Sequence, residues 1–373
     1  MLLFAALAIN LLWGCRTTTQ TAVEPAAEVA GKVRIGLYVD NGASGNGVLH
    51  LASLIAHSPQ TELVLLVAED IRNGKLKDVD VLVMPGGGSN RQCTTIGKNH
   101  WDKIRDFLRN GGGYVGTCAG MFNVLECRLK LLPFDRYLNA GGSTAHVSVE
   151  ITPEGAKILG LQPGIRKVRY SGGPVAYKLN KSKSEGKGIA LGTYKSSVSK
   201  SKEQEGKFIG SIAWVYGTYG KGKVIATSFH PEYWDSTHDM MLGCFYAVSG
   251  VKMTPVFPKK NYRPVRVGIV TIGMIGKEPV ETMLKLERNP DIDLDYVMST
   301  EVSQGILKHL DVLVIPSSVP ATVKKYLTGK VLTGFMDNGG TVITTGKADG
   351  MVPEHKNYKK LSCKDDVVKC ILK

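Results

Sequence analysis

The sequence predicts an α/β protein: a flavodoxin-like, doubly wound parallel sheet, present in two copies of which the second is degenerate. Three observations carry this. Short continuous apolar runs alternate with segments whose apolar residues recur at helical spacing, as in buried parallel strands and their crossover helices. Glycine is abundant, at 43 of 373 residues, with no G-X-Y period. Such use suits many strand-to-helix turns and excludes collagen. Finally, Val33-Arg-Ile-Gly36 returns as Val265-Arg-Val-Gly268, Asp80-Val-Leu-Val-Met-Pro85 as Asp311-Val-Leu-Val-Ile-Pro316, and Asn110-Gly-Gly112 as Asn338-Gly-Gly340. The offsets are 232, 231 and 228, and landmarks recurring in order argue two copies of one unit.

Each element follows from its pattern. Val33–Val39 and Val265–Val270 read as first strands. Val48, Leu51 and Ile55 lie on one face of the first helix, as do Val280, Met283 and Leu284 in the second copy. Second strands are expected at 63–67 and 294–298, and third strands at 79–84 and 312–315. Trp101, Ile104, Phe107 and Leu108 sit at helical spacing within 100–109, and Asn110-Gly111 is an ordinary helix stop. Fourth strands follow at 114–117 and 341–344. The first copy carries an extension over about 121–255, with strands expected at 146–151, 208–215 and 223–227. The domains expected are therefore 32–255 and 265–373, joined by a linker at 256–264.

Hydrophobic residues make up 43% and charged residues 21% of the chain, which excludes disordered and fibrous classes. The balance is basic, with 47 Lys+Arg against 33 Asp+Glu, a net of +14. From Lys178 to Lys207 there are eight Lys against three Glu, in a stretch rich in Ser and Gly. We read it as a solvated insertion, since lysine runs usually mark exposed faces. Attraction to an anionic membrane or envelope polymer is the alternative. Nucleic acid is not an expected partner, because arginines with interleaved aromatics are missing.

Residues 1–13 are almost wholly apolar and too short to span a bilayer, which reads as an export signal. Leu12-Trp13-Gly14-Cys15 resembles a bacterial lipobox, although no basic residue precedes the apolar run. The resemblance implies a signal at 1–15, a diacylated Cys15, a flexible tether at 16–31 and attachment to a bacterial envelope membrane, on its periplasmic or surface side. The alternative is an uncleaved hydrophobic N-terminus. The seven cysteines show no disulfide framework, Cys363 and Cys370 being the only pair close in sequence. No CxxC or HExxH motif occurs, so no metal and no cofactor is expected.

Gly116-Thr-Cys118-Ala-Gly120 falls between the fourth strand and an apolar helix start. A nucleophile flanked by glycines at a strand-to-helix turn forms an elbow that lifts the thiol above the sheet. Pro85-Gly86-Gly87-Gly88 follows the third strand, where a glycine turn can aim N–H groups at a developing oxyanion. Lys223–Phe229 reads as a strand delivering His230-Pro231-Glu232, in which Glu232 can orient His230 as the base. The bland alternatives are a buried structural cysteine and a tight turn. His50, His57, His100, His309 and His355 carry no assigned role. His238 with Asp235 and Asp239 reads as a solvated helix start.

Taken together, GGGYVGTCAG, PGGG and SFHPE resemble the class I glutamine amidotransferase-like superfamily. The run from Glu69-Asp-Ile-Arg-Asn-Gly74 through Cys118, with Tyr216-Gly-Thr-Tyr-Gly-Lys-Gly-Lys-Val224, is similar to the N-terminal domain family of biotin–protein ligases. The similarity covers roughly 33–250. It implies a Cys118–His230–Glu232 triad and oxyanion donors, for which Gly87 and Ala119 are the candidates. There is no ligase catalytic domain and no synthetase domain, so neither biotinylation nor amidotransfer is expected. In the second copy Thr344-Thr345-Gly346 stands where Thr117-Cys118-Ala119 would be. The expectation is a lipid-anchored cysteine hydrolase of amide or γ-glutamyl-type bonds, on a small-molecule or peptide substrate, working through acyl-Cys118. The alternative is a binding or scaffold lipoprotein that keeps the fold without turnover.

Overall fold

Val33–Tyr38 (β1), buried along its second half, lies in the larger of two sheets. The computed structural model describes residues 31–138, 143–198, 201–233, 235–274, 276–316, 321–345, 351–361 and 366–372. The expected signal, Cys15 and most of the tether lie outside these residues, as does Cys363.

In the first part of the chain β1 is followed by Thr61–Leu66 (β2), Val81–Met84 (β3), Gly113–Thr117 (β4), Phe134–Arg136 (β5), Ala145–Ile151 (β6), Gly164–Tyr170 (β7), Ala176–Lys178 (β8), Lys187–Tyr194 (β9), Ile212–Tyr219 (β10) and Gly222–Thr227 (β11). They build one eleven-stranded sheet in the order β2-β1-β3-β4-β11-β10-β9-β6-β7, with β5 and β8 attached through β10. The β2-β1-β3-β4-β11 portion is parallel, and from β11 onward through β7 the neighbours are antiparallel. The helices between them are Gly45–Ala56 (α1), Ala68–Arg72 (α2), Ser89–Ile96 (α3), Trp101–Arg109 (α4), Ala119–Val124 (α5), Pro153–Leu159 (α6), Lys202–Phe208 (α7) and Asp235–Ser249 (α8).

A second, five-stranded sheet holds Val265–Val270 (β12), Ile292–Val297 (β13), Val312–Ile315 (β14), Thr341–Thr345 (β15) and Tyr358–Leu361 (β16), in the order β13-β12-β14-β15-β16 and parallel throughout. Helix Lys277–Glu287 (α9) connects β12 to β13 and buries Val280, Met283, Leu284 and Leu286. One apolar cluster runs through both sheets, from Ile35, Leu51 and Ile55 to Val267, Met283 and Val314. Residues 32–373 accordingly form a single compact unit. The expected linker is held on both flanks, with Val256 N–H donating to His57 O at 2.8 Å and Lys260 Nζ to Glu287 O at 2.8 Å.

Two expectations are corrected. The lysine-rich stretch is no simple solvated insertion, because it contains β9 and α7, and Leu191, Tyr194 and Phe208 are fully buried. Lys187 opens β9 and Lys202 opens α7, while Leu191, Gly192 and Tyr194 are buried, so charge conceals a half-buried strand. The strand expected at 208–215 begins only at Ile212. Phe208 closes α7, whose start is capped by Ser201 Oγ accepting from Gln204 N–H at 3.3 Å, and Gly210 at φ 81° turns the chain before the strand.

Candidate active site

Strand β4 ends at Thr117, and Cys118 then adopts φ 49°, ψ −98° before α5 begins. Such a backbone is costly for a residue with a Cβ and persists only where its surroundings enforce it. Here they do. A Cβ on Gly116 would lie 2.7 Å from Gly120 C, and one on Gly120 would lie 2.1 Å from Met84 O. The elbow thus packs backbone against backbone. Tyr114 Oη donates to Gly120 O at 2.7 Å, and Cys118 N–H to Thr227 O at 2.8 Å, tying the elbow to β11.

Beyond β11, His230 N–H donates to Arg169 O at 2.8 Å. The ring Nδ1 meets Glu232 Oε1 at 2.9 Å, and the Cys118 thiol is among the groups that favour the charged ring. The thiol also approaches Ser171 O at 3.5 Å. Glu232 is fully buried, accepts a further bond from Thr117 Oγ1 at 3.3 Å, and leaves Oε2 without a partner among the described residues. The turn is pinned by Thr237 Oγ1 donating to Pro231 O at 2.8 Å and by His238 Nε2 against Glu232 O at 3.1 Å. The structure therefore places Cys118, His230 and Glu232 beside one another. His238 stands at the start of α8, 3.6 Å from Asp235, while Asp239 pairs with Arg166.

Burial alone would discharge His230. The Glu232 carboxylate, helped by Tyr233 and by Cys118, outweighs it and holds the imidazole well above its ordinary value. Burial pushes the Cys93 thiol up to about 11 and raises that of Cys244 as well.

The glycine turn after β3 closes on the same point. A Cβ on Gly86 would lie 2.5 Å from His230 Cε1 and 3.5 Å from Cys118 Cβ, so only glycine lets the turn touch both. Ser44 N–H donates to Gly86 O and Gly88 N–H to Gly42 O, each at 2.8 Å, and Gln92 Nε2 to Pro85 O at 2.9 Å. Gly88 thus spends its N–H inside the turn. The N–H groups of Gly87 and Ala119 have no such bond among the described residues. Gly87 itself holds φ 132°, and a Cβ there would overlap Gly42 O at 2.2 Å.

Residues without a signal in the sequence border this site. The Tyr233 ring lies 4.9 Å from that of His230, and the Arg169 guanidinium 5.2 Å from that of Tyr233. Beyond them opens a cleft of about 520 Å³, lined on one side by Asn46 and His50 of α1 and on the other by Asp295, Tyr296 and Glu301. His50 falls outside the apolar stripe of α1, and no local signal reveals that a second sheet covers that face.

Strand register equates Thr345 with Thr117: Gly113 pairs with Val81 as Thr341 pairs with Val312. The position in register with Cys118 is thus 346 rather than Thr345, and it lies outside the described residues.

Residues 33–130 match a family described as biotin-protein ligase, N terminal. The match includes Cys118 and the glycine turn but stops before His230. A biotin–protein ligase of Schizosaccharomyces pombe is 30% identical over 167 residues, covering 41% of this chain and 25% of that protein. The chain therefore spans about a quarter of the length of that curated relative. Among solved structures, a ThuA-like protein of Bacteroides uniformis gives a TM-score of 0.42 at 17% identity, covering 60% of this chain and 94% of its own. PurLQS of Thermotoga maritima gives 0.42 at 15%, covering 59% and 99%.

Proposed function

We propose that the chain is a cysteine hydrolase of amide or γ-glutamyl-type bonds, acting through an acyl-Cys118 intermediate and attached to a membrane by a lipid on Cys15. One observation carries the enzymatic reading: a buried thiol on a strained elbow and an imidazole that Glu232 holds at 2.9 Å meet at the same glycine, Gly86. A structural cysteine would need neither the strain nor the partners.

In this reading Cys118 sulfur attacks the amide carbonyl, and the C–S bond forms as charge moves to the carbonyl oxygen. The N–H groups of Gly87 and Ala119 receive that charge. The C–N bond then breaks and His230 gives its proton to the departing nitrogen. Water attacks the thioester, His230 takes a proton from it, and the C–S bond breaks to release a carboxylic acid and the free thiol. Glu232 orients the ring throughout. The second sheet, whose strand order and register repeat those of β1–β4, is read as a degenerate copy without a nucleophile.

The reading is tested by treating the intact protein with a chloromethyl ketone that mimics the amide and mapping the adduct by mass spectrometry. Cys118 should be labelled, and His230→Ala should slow labelling at least ~100-fold, the usual worth of a positioned acid–base group. Equal labelling of both proteins refutes the hydrolase and favours a binding or scaffold role. For the anchor, Cys15→Ser should move the protein from the membrane to the soluble fraction, because a diacyl group supplies the two chains that stable attachment needs. Unchanged partitioning refutes lipidation.

A further inference from the structure

The cleft beyond Tyr233 contains polar groups that a leaving group as small as ammonia would not occupy. Asn46 is only 6% exposed, lines the cleft, and leaves its Oδ1 without a hydrogen-bond partner among the described residues. A buried unpaired oxygen of this kind costs about 1–3 kcal/mol and calls for an explanation. His50 stands beside it. Burial, with His238 and Arg169 nearby, pushes its pKa down to about 3, and its ring packs edge-on against those of Tyr233 and Tyr296 at 5.2 and 4.8 Å. Arg169 forms no ion pair among the described residues, and its buried Nε lacks an acceptor there. On the opposite wall the Asp295 carboxylate has no hydrogen-bond or ion-pair partner among the described residues, while the Glu301 carboxylate accepts only Met298 N–H, at 2.7 Å. One wall therefore offers a guanidinium without an ion-pair partner and an orphaned amide oxygen, the other two carboxylates.

We propose that this cleft holds the amine side of the substrate, and that this side is a basic amino acid, or a peptide end carrying one, with its carboxylate on Arg169 and its side-chain ammonium on Asp295 and Glu301. The inference rests on the reading of Cys118 as the acylated nucleophile. The departing nitrogen must meet His230. Tyr233 lies against His230 and Arg169 against Tyr233, so a group continuing from that nitrogen past the imidazole enters the cleft. The second lobe thereby supplies one wall of the specificity site, and the first lobe alone is incomplete.

Binding to the full-length Cys118→Ala protein, measured by calorimetry, tests this without turnover. The probe is γ-glutamyl-lysine, joined through the lysine α-nitrogen. It is compared with γ-glutamyl-norleucine, which lacks the ammonium, and γ-glutamyl-cadaverine, which lacks the carboxylate. Each truncated probe should bind roughly tenfold more weakly, the worth of one charge-assisted bond. Asp295→Asn with Glu301→Gln should erase the difference between the lysine and norleucine probes. Arg169→Gln should erase that between the lysine and cadaverine probes, and Arg169→Lys should restore part of it. Equal affinity for all three probes, or losses indifferent to which charge is missing, overturns the proposal. Charge-matched binding without chloromethyl ketone labelling of Cys118 defeats the hydrolase reading instead, and labelling without such binding defeats the cleft proposal alone.

Discussion

His230 stays protonated against the pull of its own burial because Glu232 reaches its Nδ1 at 2.9 Å. A histidine whose native value is raised adds stability that is complete below the unfolded value of about 6.5 and fades as pH climbs through the native one. Glu232→Gln should reverse this. Burial is then opposed only by Tyr233 and Cys118, and the ring's titration should fall. Because one partner of a buried pair is removed, the variant should lose about 3–5 kcal/mol in urea unfolding at pH 6. The gap between parent and variant should shrink as pH rises toward 9, and histidine NMR should show the lowered titration directly. A gap constant across that range would show that Glu232 acts by packing and not by charge. Cys118, His230 and Glu232 were legible in the sequence because each sits in a short motif whose glycines or proline dictate the local backbone. Asn46, His50 and Arg169 were not, since the cleft that makes them notable is assembled from chain distant in sequence.

At the level of elements, α1 lies between the two sheets. Ser53 Oγ donates to Glu287 Oε1 at 2.8 Å, and a Cβ on Gly45 would stand 2.2 Å from Thr271 O and 2.9 Å from Met274 Cβ. Replacing a helical glycine by alanine ordinarily adds up to about 1 kcal/mol. At Gly45 the methyl must displace a backbone oxygen of the second lobe, so Gly45→Ala should instead cost about 1–3 kcal/mol. Gly334, inside helix Gly329–Asp337, is the control: a Cβ there would meet no atom within 4 Å, so Gly334→Ala should show the ordinary gain. Thermal unfolding of the two variants decides. If both are stabilised, the lobes do not pack against each other as described. The same contrast explains which elements could be read beforehand. Strands β1, β3, β4, β12 and β14 are buried on both faces and stand out as apolar runs. Strand β9 buries only some positions, so lysines hid it, and the turn at Gly210 displaced the start of the strand expected at 208–215.

Across the whole molecule, one apolar cluster and several polar contacts join the lobes, among them Lys277 Nζ to Asp70 at 2.8 Å and the His50 ring against Tyr296 at 4.8 Å. Both contacts carry a pH signature, in different windows. His50 is held at about 3 in the native chain, by burial first and then by His238 and Arg169. The unfolded chain takes up a proton there below about 6.5 that the native chain refuses, so stability should decline as pH falls from 6.5 toward 3. The slope reaches at most ~1.4 kcal/mol per pH unit, the linkage of one proton. At Asp70 burial favours the neutral form, but hydrogen bonds from Lys277 and Lys75 prevail and bring it to about 2. That contribution is present above the unfolded carboxylate value of about 3.9 and is lost only as pH falls from there through about 2. Urea unfolding between pH 7 and 4.5 should therefore show a decline that His50→Gln flattens and Lys277→Met leaves alone. Fluorescence and circular dichroism should give one coincident transition, since lobes sharing a core unfold together. Two separate transitions at pH 7 would mean that the second lobe is an independent domain, and a slope that survives His50→Gln would place the acid sensitivity elsewhere than at the junction.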